Sequence, residues 1–395
     1  MSPEIELPKS GLPAKRVGIV VGTRPGIVMF APIIHRFREL GIPHFVIHTG
    51  QHYSPNMDAQ LFDDLELPAA DYRLQGIETK KTHGAQTGAM LEGVEGVFLK
   101  QKPKLVLVGG DANTNLAGAL GARKLGIEVG HVEAGERSYD WRMPEEHNRR
   151  MIDHISEHLF ATGMKARKQL RKESVQGKIY VVGNPIVDAS RQHLAIAERK
   201  SDVMERFSVR DRAYCILTTH REENVDSLEK LRGTLLGVSR ASVLLDLPVV
   251  FLAHPRTLKR LKEFNLLDWA QTLPGISLKE GAGYLDFLKL LAHARLVFTD
   301  SGGVQQEAVI HHIPAVTLRE NTEWVETLAH GANRLAGTDP DRIVNSATEA
   351  AAVWPHWRTP FGDGDAAKKI TDVCIGILQD SRQSPVPEEA ALPRK

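Results

Sequence analysis

Short runs of Val, Ile and Leu punctuate this chain, and nearly every one ends in a small polar cluster. In the first half the runs are RVGIVVG, HFVIHTG, KLVLVGG, IEVGHVE, HLFAT and KIYVVG; in the second they are YCILTT, VVFLAH, ISLK, RLVFTD and AVTLR. Segments with helical periodicity, such as VMFAPIIHRFREL and YLDFLKLLAHA, separate most of them. Runs that stay apolar throughout belong to strands covered on both faces, and strands alternating with helices build parallel sheets. Eleven strands are many for one doubly wound sheet. A length of 395 residues suits two domains of roughly 100–200 residues each. The expected fold is therefore α/β, with two Rossmann-like parallel-sheet domains and a seam near GNPIVDAS, Gly183 to Ser190. Residues 1–186 form the first domain in this reading and 187–364 the second. A helix at about 365–380 packs back on the first, and DSRQSPVPEEAALPRK has the composition of a flexible tail over 381–395.

The polar clusters are the functional signal. GTRPG, TGQH, GGDANTN and EAGERS each follow a strand in the first half; THREEN, HPRT, DSGG and RENTE do so in the second. Ligands of open parallel sheets bind beyond the carboxyl ends of strands, so eight such clusters imply one cleft between the two domains. Charge narrows what binds there. With 50 basic and 49 acidic residues, nothing draws the chain toward nucleic acid or an anionic membrane, and any anion site is local. The two cysteines, Cys215 and Cys374, sit in apolar contexts; no disulfide framework is expected and a reducing cytoplasm fits. The polar opening MSPEIELPKSGLPAK lacks the apolar core of a signal peptide. The longest apolar run, near ASVLLDLPVVFLAH, is broken by Asp246 and Pro248, short of the ~20 residues that span a membrane.

Several stretches carry chemistry. FTDSGGVQQEAVIHH reads as strand, turn and helix, with Ser301 as N-cap and Gly302 and Gly303 letting a ligand approach the backbone. Free N–H groups and the helix dipole favour a phosphate there, and Glu307 could accept from ribose hydroxyls; an ordinary capped helix is the plain alternative. In VGTRPGIVMFAPII, Arg24 could pair bidentately with a phosphate. No complete G-x-G-x-x-G fingerprint and no Walker A loop is present. His220 in TTHREEN, and His254 with Arg256 in AHPRT, lie just past strands, where they either donate to a diphosphate or serve structure. In HVEAGERSYDWRMPEEHNR, Pro144 can open a helix with Glu145 and Glu146 in its first turn, and Met151, Ile152, Ile155 and Leu159 form its buried stripe. Glu145 and Arg149, four apart, form a surface ion pair or a functional one. Glu133 lies at a strand mouth beside Ala134 and Gly135, and Asp111 occupies the same kind of place after LVLVGG. Carboxylates from adjacent strand ends could flank one substrate carbon. His154 and His158 are four apart, but HISEH lacks the H-E-x-x-H order, so no metal site is expected.

At these residues the chain resembles the non-hydrolysing UDP-N-acetylglucosamine 2-epimerase family. The matching segments are GTRPG, HTGQHY, GGDANTNLAGALGARKLGIEVGHVEAG, RMPEEHNRRMIDHIS, TTHREEN, YLDFLKLL, TDSGGVQQEA, ENTEWVET and PFGDGDAAKKI, from about Val17 to Ile370. The resemblance implies the GT-B architecture, two Rossmann-like domains around a cleft. It also implies reversible conversion of UDP-GlcNAc to UDP-ManNAc with no nicotinamide, metal or other cofactor. The family removes the unactivated C2 proton as UDP leaves C1, forming 2-acetamidoglucal, then adds UDP back with protonation of the opposite face. Carried over by position, Asp111, Glu133, Glu145, Arg149 and His220 are the catalytic set: Asp111 and Glu133 as acid/base pair, Glu145 and Arg149 as a supporting charge pair, His220 on the leaving diphosphate. Arg24, Ser301, Gly302, Gly303 and Glu307 fall around UDP and Phe287 near uracil; His254 and Arg319, from the strand-end clusters, join them. The family commonly forms homodimers, and the implied partner is a UDP-sugar.

The chain also departs from the family. Gly26 stands where many members have Glu, Glu136 where many have Leu, and His147 where an apolar residue is usual. Gln51 and His52 match part of the activating UDP-GlcNAc site of bacterial members, but KTHGAQTGAML offers no counterpart for an arginine, which argues against allosteric activation. Rival readings are a 2-epimerase of UDP-2,3-diacetamido-2,3-dideoxyglucuronate, a hydrolysing epimerase, a GT-B glycosyltransferase and a non-enzymatic sugar-nucleotide sensor. Fold alone does not separate them.

Overall fold

The computed structural model describes residues 16–51, 55–279, 281–352 and 357–380. Its strands are β1 (Val17–Val21), β2 (His44–His48), β3 (Tyr72–Arg73), β4 (Leu105–Gly109), β5 (Glu128–Ala134), β6 (His158–Ala161), β7 (Lys178–Val181), β8 (Cys215–Thr218), β9 (Val249–Leu252), β10 (Ile276–Lys279), β11 (Leu296–Thr299), β12 (Ala315–Thr317) and β13 (Asn333–Leu335). One sheet runs β3-β2-β1-β4-β5-β6-β7 and the other β10-β9-β8-β11-β12-β13. Strand pairing is parallel throughout. Each sheet has its topological switch point, β1/β4 in one and β8/β11 in the other, the place where doubly wound sheets take ligands.

The continuous apolar runs are explained by burial on both faces. Every residue of β1, β4, β9 and β11 is buried. In the second sheet, alternate residues feed two separate cores. Cys215, Leu217, Val249, Phe251, Leu296 and Phe298 belong to one, while Tyr214, Ile216, Val250, Leu252 and Val297 belong to the other, as the two-residue period of a strand requires. Both cysteines are free and buried, and burial pushes the Cys215 thiol up to about 12.

Two strands escape the sequence reading, β3 and β13. Both are edge strands of two or three residues with a charged or polar member, too short to register as apolar runs. The chain divides into two units, Ser190–Pro360 being the second and the flanking segments the first. The boundaries expected at 186/187 and 364/365 thus fall at 189/190 and 360/361. The helix Pro185–Lys200 carries the chain across the first boundary. Its first turn serves the first unit, since Asp188 Oδ2 and Oδ1 accept from the backbone N–H groups of Ala366 (3.2 Å) and Ala367 (3.0 Å). Asp188 thereby caps the helix Ala366–Gln379, which packs against the helix Arg24–Glu39 and β4. The tail expected over 381–395 lies outside the described residues. None of the described helices is long and apolar enough to cross a membrane.

Candidate functional site

In the first unit the candidate residues gather where β4 and β5, hydrogen-bonded neighbours, run out. Both strand ends leave regular geometry. Gly110 has φ +80° and Glu133 φ +72°, and β5 shifts register between Val132 and Ala134. A left-handed non-glycine residue on a strand is uncommon and costly; here it turns the Glu133 side chain toward Gly110 and Asn184, whose Nδ2 donates to Glu133 Oε1 at 3.3 Å. Burial, with the carboxylates of Glu136 and Asp111 adding to it, pushes the Glu133 carboxyl up to about 8. Asp111 is ion-paired with Arg149, whose Nη2 donates to its Oδ2. Asn148 Nδ2 holds the Asp111 carbonyl at 2.8 Å and Asn113 Oδ1 at 3.0 Å.

The helix Pro144–Ile155 supplies these partners, opening on Pro144 with Glu145 and Glu146 in its first turn. Two expectations about it are corrected. Arg149 pairs with Asp111 and, at 3.4 Å, with Glu146, not with Glu145; Glu145, half-buried, has no side-chain partner among the described residues. The buried Glu146 accepts instead from Ser138 N (2.8 Å), Ser138 Oγ (3.0 Å) and Arg150 Nε (2.9 Å). Burial alone would raise its pKa; these donors hold it below the ordinary carboxylate value. The helix also ends at Ile155, so Leu159 and His158 belong to β6, and Met151 is 45% exposed rather than part of a buried stripe. His158 Nε2 bonds Glu128 at 2.7 Å, away from His154.

Arg24 is also in this unit, exposed in the first turn of Arg24–Glu39, with Thr23 as N-cap accepting from Gly26 N at 3.3 Å. Gln51 is engaged internally: its Oε1 accepts from Thr114 N (2.7 Å) and Thr114 Oγ1 (2.9 Å). His52 lies outside the described residues.

The second unit gathers the other candidates past β8, β9, β11 and β12. Asp300, fully buried, organises them. Its carboxylate accepts from Thr219 Oγ1 (2.7 Å), His220 N (3.0 Å), Arg221 N (3.0 Å) and Asn224 Nδ2 (3.1 Å), and His220 Nδ1 lies 3.4 Å away. The His220 ring is 38% exposed and sits 5.4 Å, centroid to centroid, from that of His254. His254 Nδ1 accepts from Arg256 N at 3.2 Å, capping the helix Pro255–Glu263. Burial, then the charges of His220 and Arg256, lower its pKa, in keeping with a neutral ring that accepts there.

Ser301 stands at the N-cap of Gly302–Ile310, but its side chain makes no capping bond, contrary to the sequence expectation. That leaves first-turn N–H groups to an incoming anion. A Cβ on Gly302 would come 3.1 Å from Trp324 Nε1, whereas one on the exposed Gly303 would meet Ser301 Oγ at 3.9 Å, an ordinary contact. Glu307 lies in the same helix, 8% exposed; burial pushes it up to about 7, partly offset by the Tyr284 hydroxyl that donates to it at 3.3 Å. Phe287 is partly buried against one of the two cores. Arg319 is not a free cation, because Glu323 (2.8 Å), Glu223 (3.2 Å) and Asn321 (3.2 Å) surround its guanidinium.

Sequence reasoning missed Asp300, Tyr284, Asn148 and Asn184, and a buried cluster under β5. There Asp153 accepts from His131 Nδ1 (2.7 Å), Gly135 N (3.2 Å) and Arg137 Nη2 (2.7 Å), while Glu173 pairs with Arg137 and, at 3.0 Å, with Arg150. Asp300 had a signal, an acid closing the apolar run RLVFTD.

Known proteins share this fold and much of this sequence. The family model for UDP-N-acetylglucosamine 2-epimerase matches residues 36–375. The UDP-N-acetylglucosamine 2-epimerase of Methanococcus maripaludis is 47% identical over 365 residues, covering 91% of this chain and 98% of the relative. The solved UDP-GlcNAc 2-epimerase of Methanocaldococcus jannaschii superposes with a TM-score of 0.84 at 45% identity, over 91% of this chain and 99% of that one. Its complex with UDP-GlcNAc and UDP gives a TM-score of 0.78 at 46% identity, with the same coverage. With this identity sustained over nearly its whole folded length, the chain belongs to the UDP-N-acetylglucosamine 2-epimerase family.

Proposed function

We propose that the chain interconverts UDP-GlcNAc and UDP-ManNAc without hydrolysing them, by eliminating UDP to 2-acetamidoglucal and adding it back. The carrying observation is the contrast between two carboxyl groups on adjacent strand ends. Glu133 is pushed up to about 8, whereas Asp111 is ion-paired with Arg149. Groups in unlike environments divide acid and base work. In one direction Asp111 takes the C2 proton, the C–H electron pair becomes the C1–C2 double bond, and the C1–O pair leaves with UDP. Glu133 then protonates the other face of C2 as UDP returns to C1. The reverse reaction exchanges their roles. Arg149 orients Asp111, and Glu145 completes the carboxylate set.

The second unit holds the nucleotide in this reading. The uncapped helix start at Ser301, Gly302 and Gly303 binds the diphosphate, with Arg24 adding charge, and His220 and His254 donate to it as it departs. Glu307 takes the ribose hydroxyls and Phe287 the uracil. The enzyme is read as a cytoplasmic homodimer that needs no cofactor and acts on a free UDP-sugar.

The test is to incubate the protein with UDP-GlcNAc in deuterated water and follow C2 by NMR. UDP-ManNAc carrying deuterium is the expected product. Free ManNAc would point to a hydrolysing enzyme, and an unchanged substrate would refute the reading. Asp111→Asn and Glu133→Gln are each expected to abolish turnover while sparing UDP binding; full activity in either removes that residue from proton transfer.

A further inference from the structure

We infer that His131, as an imidazolium paired with Asp153, is the positioning element that locks the two strand-end turns carrying Asp111 and Glu133. The inference rests on the reading of those carboxylates as the proton-transfer pair.

His131 lies on β5, two residues before Glu133, and is fully buried. Its two ring nitrogens both face acceptors: Nδ1 is 2.7 Å from Asp153 Oδ1, and Nε2 is 3.0 Å from the Gly110 carbonyl. A neutral imidazole has one N–H and cannot satisfy both. A protonated Asp153 would be the other solution, but Asp153 Oδ2 already takes the Arg137 guanidinium at 2.7 Å and Gly135 N at 3.2 Å, which is how a carboxylate is held.

What the pair grips ties it to the reaction. Gly110 immediately precedes Asp111, and its peptide is fixed at both ends, its N–H by Val132 O at 3.0 Å and its carbonyl by His131. Gly135, two residues after Glu133, is fixed by Asp153. Gly110, Glu133 and Gly135 all have positive φ, at +80°, +72° and +88°. The His131–Asp153 pair thus anchors the turn on each side of the Glu133 bulge, and nothing in this arrangement asks it to touch substrate.

Two measurements test this. In protein labelled with ¹⁵N-histidine, His131 is expected to show hydrogen on both ring nitrogens at neutral pH, and on one only in Asp153→Asn. His131→Gln can donate through one amide but cannot bridge Asp153 and Gly110; its kcat is expected to fall about 10²-fold, as a misplaced reacting group produces, with KM for the UDP-sugar and affinity for UDP unchanged. A single protonated nitrogen in the wild type overturns the imidazolium. A His131→Gln variant with wild-type kcat, or one whose loss is all in KM, overturns the positioning role. Should that variant fail to fold, the spectrum of the wild type still decides. Wild-type protein that leaves C2 untouched in deuterated water refutes the catalytic reading instead, so the two failures are distinguishable.

Discussion

Replacing Glu133 with Gln should make the protein more stable and inactive, and the size of the gain should depend on pH. The folded carboxyl is pushed up to about 8 from an ordinary value of 4.5, by burial first and by Glu136 and Asp111 next. Between those limits the unfolded chain has released a proton that the folded chain keeps. The unfolded state therefore gains on the folded one as pH rises, by about 1.4 kcal/mol per unit within the window. Below about pH 4.5 both states are protonated and nothing is lost; above about pH 8 both are ionised and the loss stops growing. At pH 7 the accumulated cost is of order 3 kcal/mol, an upper figure because Glu133 keeps some solvent contact. Glutamine retains the shape, and its carbonyl can still accept from Asn184, but it has no proton to release. Urea unfolding followed by far-UV circular dichroism should give similar midpoints for wild type and Glu133→Gln at pH 5. At pH 8, where the cost has grown to about 4 kcal/mol, the variant's midpoint should be higher by about 1.5 M with m of roughly 2–3 kcal/mol/M. A midpoint difference that stays the same from pH 5 to pH 8 would refute the buried-carboxyl argument, whatever the variant does to turnover.

Three further outcomes are expected. Asp188→Ala removes the acceptor for two N–H groups at the start of Ala366–Gln379 and should cost about 1–2 kcal/mol in chemical denaturation. Gly135→Ala combines a left-handed φ of +88° with a Cβ 2.6 Å from the Ala166 carbonyl oxygen; the loss should be about 2–4 kcal/mol, read as a lowered melting temperature. For Glu307, pushed up to about 7 by burial, the carboxylate form accepts ribose hydroxyls best. UDP affinity by calorimetry should therefore rise through pH 7 in the wild type and lose that inflection in Glu307→Gln.

The sequence exposes what repeats and hides what converges. Apolar runs ended by polar clusters locate eleven of the thirteen described strands and put Asp111, Glu133, His220 and Ser301 at strand ends, because those signals are local. Partner choice is not local. Glu145 and Glu146 are neighbours in one helix turn, and i,i+4 spacing to Arg149 singles out Glu145. The helix is rotated so that Glu146 is the one buried beneath Arg149 and Arg150, while Arg149 reaches across to β4 for Asp111. About 100° of helical rotation decides this, and only tertiary packing sets it. The same holds for Asp153, which reads in sequence as one more helix charge and in the fold as the acceptor for groups on β5 and beyond it.

Each unit places one carboxyl group with a strongly raised pKa at the carboxyl edge of its sheet, Glu133 at about 8 and Glu307 at about 7, and burial is the leading cause in both. Their neighbours separate them. Glu133 faces other carboxylates and one amide donor, so it gains little by ionising and can keep a proton to deliver. Glu307 faces the Tyr284 hydroxyl, a neutral donor that favours the ionised form and leaves an oxygen free to accept. In the proposed reading, burial thus leaves an acid–base group in one unit and a hydrogen-bond acceptor in the other, and the charge and hydrogen-bonding character of the immediate neighbours separates the two roles.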